Sequence, residues 1–126
     1  MDIAAAVESM GALGQETRLR AFRLLVEVGE EGVPAGEIAR RLDVPHNTMS
    51  THLALLTRAG LIRSRRESRS IIYTADFAGI RALLAFLVQD CCHGRPEACG
   101  PLLDAVLPAA ACCAATGREG IRGAPR

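Results

Sequence analysis

Residues 16–28, ETRLRAFRLLVEV, place Leu19, Phe22 and Val26 three and seven positions apart. That recurrence belongs to one buried stripe of a helix, with Arg18, Glu27 and Glu30 on the watery side. Ahead of it, IAAAVESMGAL (3–13) predicts a short, Ala-rich, weakly amphipathic helix ending near Gly14. Gly29 and Gly32 stop the second helix and Pro34 opens a third over 35–42, with Ile38 and Leu42 one turn apart.

The stretch LDVPHNTMSTHLALLTRAGLI (42–62) is the most informative. Pro45 sets the backbone for a helix on which Met49, Leu53 and Leu56 share one face, while Asn47, Ser50, Thr51, Ala54 and Arg58 share the other. A helix exposed only to water more often carries Glu and Lys outward. Short hydrogen-bonding side chains, with His46 and Thr48 beside them, suit a helix pressed into a groove, and the major groove of DNA is wide enough to admit one. Gly60 ends this helix as a C-cap.

Two β-branched runs, 61–66 and 69–75, joined by Glu67-Ser68, predict a hairpin with Arg65, Arg66 and Arg69 near its tip. A long helix over 76–90 follows, with Asp76 as N-cap and Ile80, Leu83, Leu84 and Leu87 on a wide apolar face. That face and the first helix exceed what one small domain covers, which predicts a homodimer joined through the first and last long helices. The expected organisation is a DNA-binding and dimerisation domain over 1–90, a cysteine-rich tail over 91–115 with a loose helix after residue 100, and a disordered end over 116–126.

Composition narrows the function. With 126 residues, 49% hydrophobic and 23% charged, the chain is one globular domain. No apolar run approaches the length of a membrane span and the N-terminus has no basic stretch, so a cytoplasmic protein without membrane contact is expected. Net charge is only +1, yet residues 35–75 hold seven Arg against three acids, while residues 1–34 hold three Arg against six. A local cationic segment is what a nucleic-acid footprint requires, whatever the total. All fifteen cations are Arg, which we ascribe to genome composition. The five cysteines, Cys91, Cys92, Cys99, Cys112 and Cys113, crowd the C-terminal part. Their odd number and vicinal pairing argue for thiols rather than a disulfide framework.

Helix, short helix, turn, polar-faced helix, hairpin, helix is the order of a winged helix-turn-helix, mainly α with a β-hairpin wing. ETRLRAFRLL, GEIARRLDVPHNTMSTHLALLTRAGLI and the strand ending in Tyr73 resemble the ArsR/SmtB family of bacterial metal-sensing repressors over about residues 10–90. Two departures stand out: Pro45 replaces a frequent capping Ser, and Ser68 a frequent Gly in the wing turn. The resemblance implies a homodimer that binds an inverted-repeat operator in double-stranded DNA as apo-protein and leaves when metal binds. It places Asn47, Thr48, Ser50, Thr51 and His46 in the major groove, with Arg58 on the same face. Arg65, Arg66 and Arg69 then reach phosphates or the adjacent minor groove. His52 falls off the exposed centre and reads as structural.

Family members sense metals at different places. A thiolate site in the helix before recognition needs cysteines that GEIARRL lacks, and a zinc site across the last helix needs histidines that 76–90 lacks. DCCHGRPEACG (90–100) remains, and it resembles the arsenite-responsive members with a C-terminal CC-x6-type site. Cys91, Cys92 and Cys99 offer three soft thiolates to trivalent arsenic or antimony, which favour a three-coordinate pyramid; structural zinc wants four ligands. Cys112 and Cys113, flanked by Ala, read either as inert apolar residues or as further ligands. No organic cofactor is expected. The sequence thus predicts a repressor of an arsenic-resistance operon. The alternatives are a soft-metal or redox-responsive repressor of the same fold, and, in another class, a thiol-based metal scavenger or a thiol oxidoreductase. The enzyme reading lacks a C-x-x-C pair and an activating base other than His93.

Overall fold

The computed structural model describes residues 1–88, and Met1–Leu87 form one compact unit. Helix α1 spans Ile3–Leu13, α2 Glu16–Val28, α3 Ala35–Leu42, α4 His46–Arg58 and α5 Phe77–Leu87. The sheet contains β1 (Val33–Pro34), β2 (Ile62–Glu67) and β3 (Ser70–Ala75). Its antiparallel order is β1-β3-β2, with Ile62 opposite Ala75, Glu67 opposite Ser70 and Val33 opposite Tyr73.

Local chemistry accounts for the boundaries. Asp2 caps α1 by accepting from Ala5 N at 2.8 Å, and Gln15 caps α2 through Arg18 N at 2.9 Å. Helix α4 ends in a Schellman motif: Leu61 N donates to Leu56 O at 3.1 Å and Gly60 N to Thr57 O at 3.0 Å. Gly60 takes φ +81°, where a side chain would be strained. Helix α3 ends the same way on a non-glycine, Asp43, at φ +56°. Asp76 caps α5, its Oδ1 accepting from Ala78 N at 3.1 Å.

Leu25, Ile38, Met49, Leu53, Leu56, Leu61 and Ile62 are the largest fully buried apolar side chains, drawn from α2, α3, α4 and the start of the wing. The predicted face of α4 is the buried one. On α2 the expected stripe holds in part: Phe22 is buried with Ala21 and Leu25, and Val26 packs against the core, while Leu19 is 45% exposed. Arg18 is half-buried, its guanidinium turned toward the end of α1. Leu19 instead lies with Leu24 and Leu42 in an open cleft of about 440 Å³ between α2 and α3.

The hairpin is displaced by one residue from its predicted register, so that Ser68 and Arg69 form the turn. Ser68 adopts φ +57°, since a two-residue turn between right-twisted strands needs positive φ. Strand β1 was not anticipated; two residues carry no periodicity, and only the approach of β3 makes them a strand. The last helix is described to Leu87, and the expectations for residues beyond 88 lie outside the described part.

Helix α1 inverts the ordinary arrangement. Its inner face is small (Ala6, Ser9, Ala12), while Ile3 and Val7 are 69% and 62% exposed and Met10 lies on the same outer stripe. On α5, Leu83 is buried, but Phe77, Leu84 and Leu87 are exposed. The first turn of α5 packs tightly on the α4–β2 turn. A Cβ on Gly79 would lie 1.9 Å from Gly60 O, and Asp76 N donates to Leu61 O at 2.9 Å.

Candidate nucleic-acid interface

Helix α4 follows α3 after a three-residue turn and buries Met49, Leu53 and Leu56 completely. That fixes the opposite face outward: His46, Asn47, Thr48, Ser50, Thr51, Ala54 and Arg58 are all exposed. Pro45 supplies no side-chain cap, so the positive end of the helix dipole is open to anions. Asn47 Oδ1 accepts from Thr48 N at 2.9 Å. This occupies the amide's acceptor and leaves its NH2 group for a base or phosphate. Thr51 Oγ1 leans back on Asn47 O at 3.4 Å.

The wing carries Arg63, Arg65, Arg66 and Arg69, all exposed. Their commitments differ in ways the sequence did not reveal. Arg65 Nη1 and Nη2 donate to Glu30 O at 3.2 Å and Glu31 O at 2.9 Å, and Nε to Glu67 at 2.7 Å. Its fork therefore ties the wing to the short 3-10 turn Gly29–Glu31 after α2. Arg63 Nε stands 4.0 Å from Asp76. Among the described residues Arg66 and Arg69 have no ion-pair partner, nor has Arg58 at the end of α4. On α3, Glu37 takes both Arg40 and Arg41, the latter at 2.7 Å, and these two guanidinium groups hold its carboxyl below the usual carboxylate range. The excess cation of this segment is thus concentrated at Arg58, Arg66 and Arg69.

His52 sits on the flank of α4, half-buried, with Nδ1 3.3 Å from Arg18 Nη1. Burial, and then the Arg18 charge, push its pKa below the ordinary histidine value. Arg18, expected in water, donates Nε to Ala12 O at 2.6 Å, at the end of α1. Ser9, also unremarked in the sequence, donates to Ala59 O at 3.2 Å. Neither contact has a local pattern that could have disclosed it. Cys91, Cys92, Cys99, Cys112 and Cys113 lie outside the described residues. No helix among those described is long and apolar enough to cross a membrane.

A hydrogen-bonding helix held outward beside an arginine-bearing hairpin defines a winged helix-turn-helix DNA-binding protein. A helix-turn-helix domain family matches residues 13–65. The transcriptional activator HlyU of Vibrio cholerae is 30% identical over 92 residues, 73% of this chain and 82% of that protein. The chain belongs to the ArsR/SmtB family of transcriptional regulators. The HlyU structure matches with a TM-score of 0.57 over 73% of this chain and 99% of HlyU. A solved structure described as a possible transcriptional regulator for arsenical resistance is 28% identical, with a TM-score of 0.57 over 64% of this chain and 80% of that one. A homodimeric winged helix-turn-helix domain from Mycobacterium bovis shares the fold at 24% identity, with a TM-score of 0.58 over 68% of this chain and 78% of that one. HlyU is a transcriptional regulator, and the chain is a DNA-binding regulator rather than an enzyme.

Proposed function

We propose that the chain is a homodimeric repressor of an arsenic-resistance operon, bound to an inverted-repeat operator as apo-protein and released by trivalent arsenic or antimony. The observation that carries the DNA-binding part is the exposed polar face of α4 next to the uncommitted Arg58, Arg66 and Arg69. The dimer rests on the outward apolar stripes of α1 and α5, which a second copy would cover, and on the homodimeric relative from Mycobacterium bovis. In the dimer the two α4 helices enter successive major grooves about 34 Å apart, with Asn47, Thr48, Ser50 and Thr51 at base edges and Arg66 and Arg69 on phosphates.

The inducer reading rests on sequence chemistry, with support from the relative described for arsenical resistance. Cys91 and Cys92 close a pyramidal site with Cys99, and Cys112 or Cys113 can join it. Loading this site just past α5 changes the angle between the two winged units, and a coupling of about 1–3 kcal/mol lowers operator affinity up to roughly 150-fold. The test is fluorescence anisotropy of the full chain on duplex from its own promoter, under reductant. Arsenite should release the wild type but not Cys91→Ser or Cys92→Ser, and unchanged release from either variant defeats the site. A second reading, redox control through the vicinal thiols, is favoured by the kinship with HlyU, for which a reduced form has been solved. It predicts release by an oxidant with no response to arsenite.

A further inference from the structure

The apolar seat of α4 leaves one thing open. Met49, Leu53 and Leu56 form a stripe, and hydrophobic contact is non-directional, so it sets the helix's depth better than its roll or its slide along the axis. Directional contacts are required for those, and two reach α4, one from α1 and one from α2. At the C-terminal end of α4, Ser9 Oγ of α1 donates to Ala59 O at 3.2 Å, with Ser9 fully buried. Seven residues earlier, about 10 Å along the axis, His52 Nδ1 meets Arg18 Nη1 at 3.3 Å.

Arg18 belongs to α2, but its other nitrogens grip the end of α1. Nε donates to Ala12 O at 2.6 Å and Nη2 to Gly11 O at 3.4 Å, a cation set against a helix C-terminus. A guanidinium only donates, so His52 accepts at Nδ1 and carries its proton on Nε2. Both attachments of α4 therefore lead to one short segment of α1, residues 9–12, and the other side of that helix presents Val7 and Met10 outward.

We propose that Ser9, Arg18 and His52 form a strut that fixes the roll and axial position of α4 against α1, so that the seating of α1 in the dimer sets how the two α4 helices face successive grooves. The three are positioning residues and touch no base or phosphate. The inference rests on the dimeric reading above. It assigns the setting of half-site spacing to contacts that face the inside of the domain.

The test uses the full chain on its promoter duplex, on the same duplex with two base pairs inserted between half-sites, and on poly(dI–dC). The insertion turns one half-site by about 70° relative to the other. Wild type should lose about tenfold or more in affinity, or 1.4 kcal/mol. His52→Leu, Arg18→Gln and Ser9→Ala should bind the native operator more weakly and lose less than about threefold on insertion, with sedimentation as dimer and poly(dI–dC) binding unchanged. His52→Gln restores an acceptor and should restore spacing selectivity. His52 is only half-buried, so His52→Leu serves if Arg18→Gln does not fold. A dimeric, spacing-selective wild type whose variants keep that selectivity overturns the strut alone. A wild type that is monomeric, or indifferent to the insertion, overturns the dimeric reading and the strut with it.

Discussion

Replacing Gly79 by alanine adds a single methyl group where the fold leaves no room. Its Cβ would stand 1.9 Å from Gly60 O and 2.9 Å from Gly60 C. Both are backbone atoms, and Gly60 is held by the Schellman bonds that close α4. Neither neighbour can rotate away, so α5 must retreat by more than about 1 Å to restore a normal contact. The retreat costs about 1–3 kcal/mol in the manner of an overpacked core. It also strains the Asp76 N to Leu61 O bond at 2.9 Å, adding about 1 kcal/mol. The sum, about 2–4 kcal/mol, should lower the thermal midpoint of this small domain by roughly 10–20 °C. Thermal and urea melts at fixed protein concentration measure it. The control is Gly11→Ala on exposed α1, where nothing lies within 4 Å of the new Cβ. It should be neutral or stabilise by up to about 1 kcal/mol. A Gly79→Ala midpoint within about 2 °C of wild type would refute the close approach of α5 to the α4–β2 turn.

Arg66→Ala should flatten the dependence of operator affinity on salt by about one unit of log–log slope. Arg65→Ala should weaken binding with little change of slope, because its fork is spent on Glu30 and Glu31 carbonyls; equal slope changes for the two would contradict that division. Asp43→Gly and Ser68→Gly remove side chains from positive φ and should each stabilise by a few tenths to about 1 kcal/mol in urea melts; lower midpoints would argue against those backbone conformations. His52 has a folded pKa below its unfolded 6.5. Its contribution to stability is therefore fully present above pH 6.5 and is lost as pH falls through the folded value. A stability profile from about pH 8 to 5 should show that loss in wild type and not in His52→Gln, and parallel profiles would remove His52 as its source.

The order of the helices and the hairpin and the exposed polar side of α4 were legible from residues alone. Helical spacing of Met49, Leu53 and Leu56 is a local property, and burying that stripe forces Asn47, Ser50 and Thr51 outward whatever else the chain does. The end of α4 and the start of α5 were equally local, because Gly60 and Asp76 act on backbone groups within a few residues. What depended on sequence-distant partners could not be read this way. Leu19 is exposed, and Arg18 is half-buried where its guanidinium meets the carbonyls at the end of α1 and the ring of His52. Arg65 and Arg66 are adjacent in one strand and look equivalent, yet alternation turns one onto the Gly29–Glu31 turn and the other into solvent. Local pattern thus chose which face of α4 stands exposed, whereas contacts between distant segments decided which arginines are left without an ion-pair partner among the described residues and how that face is held.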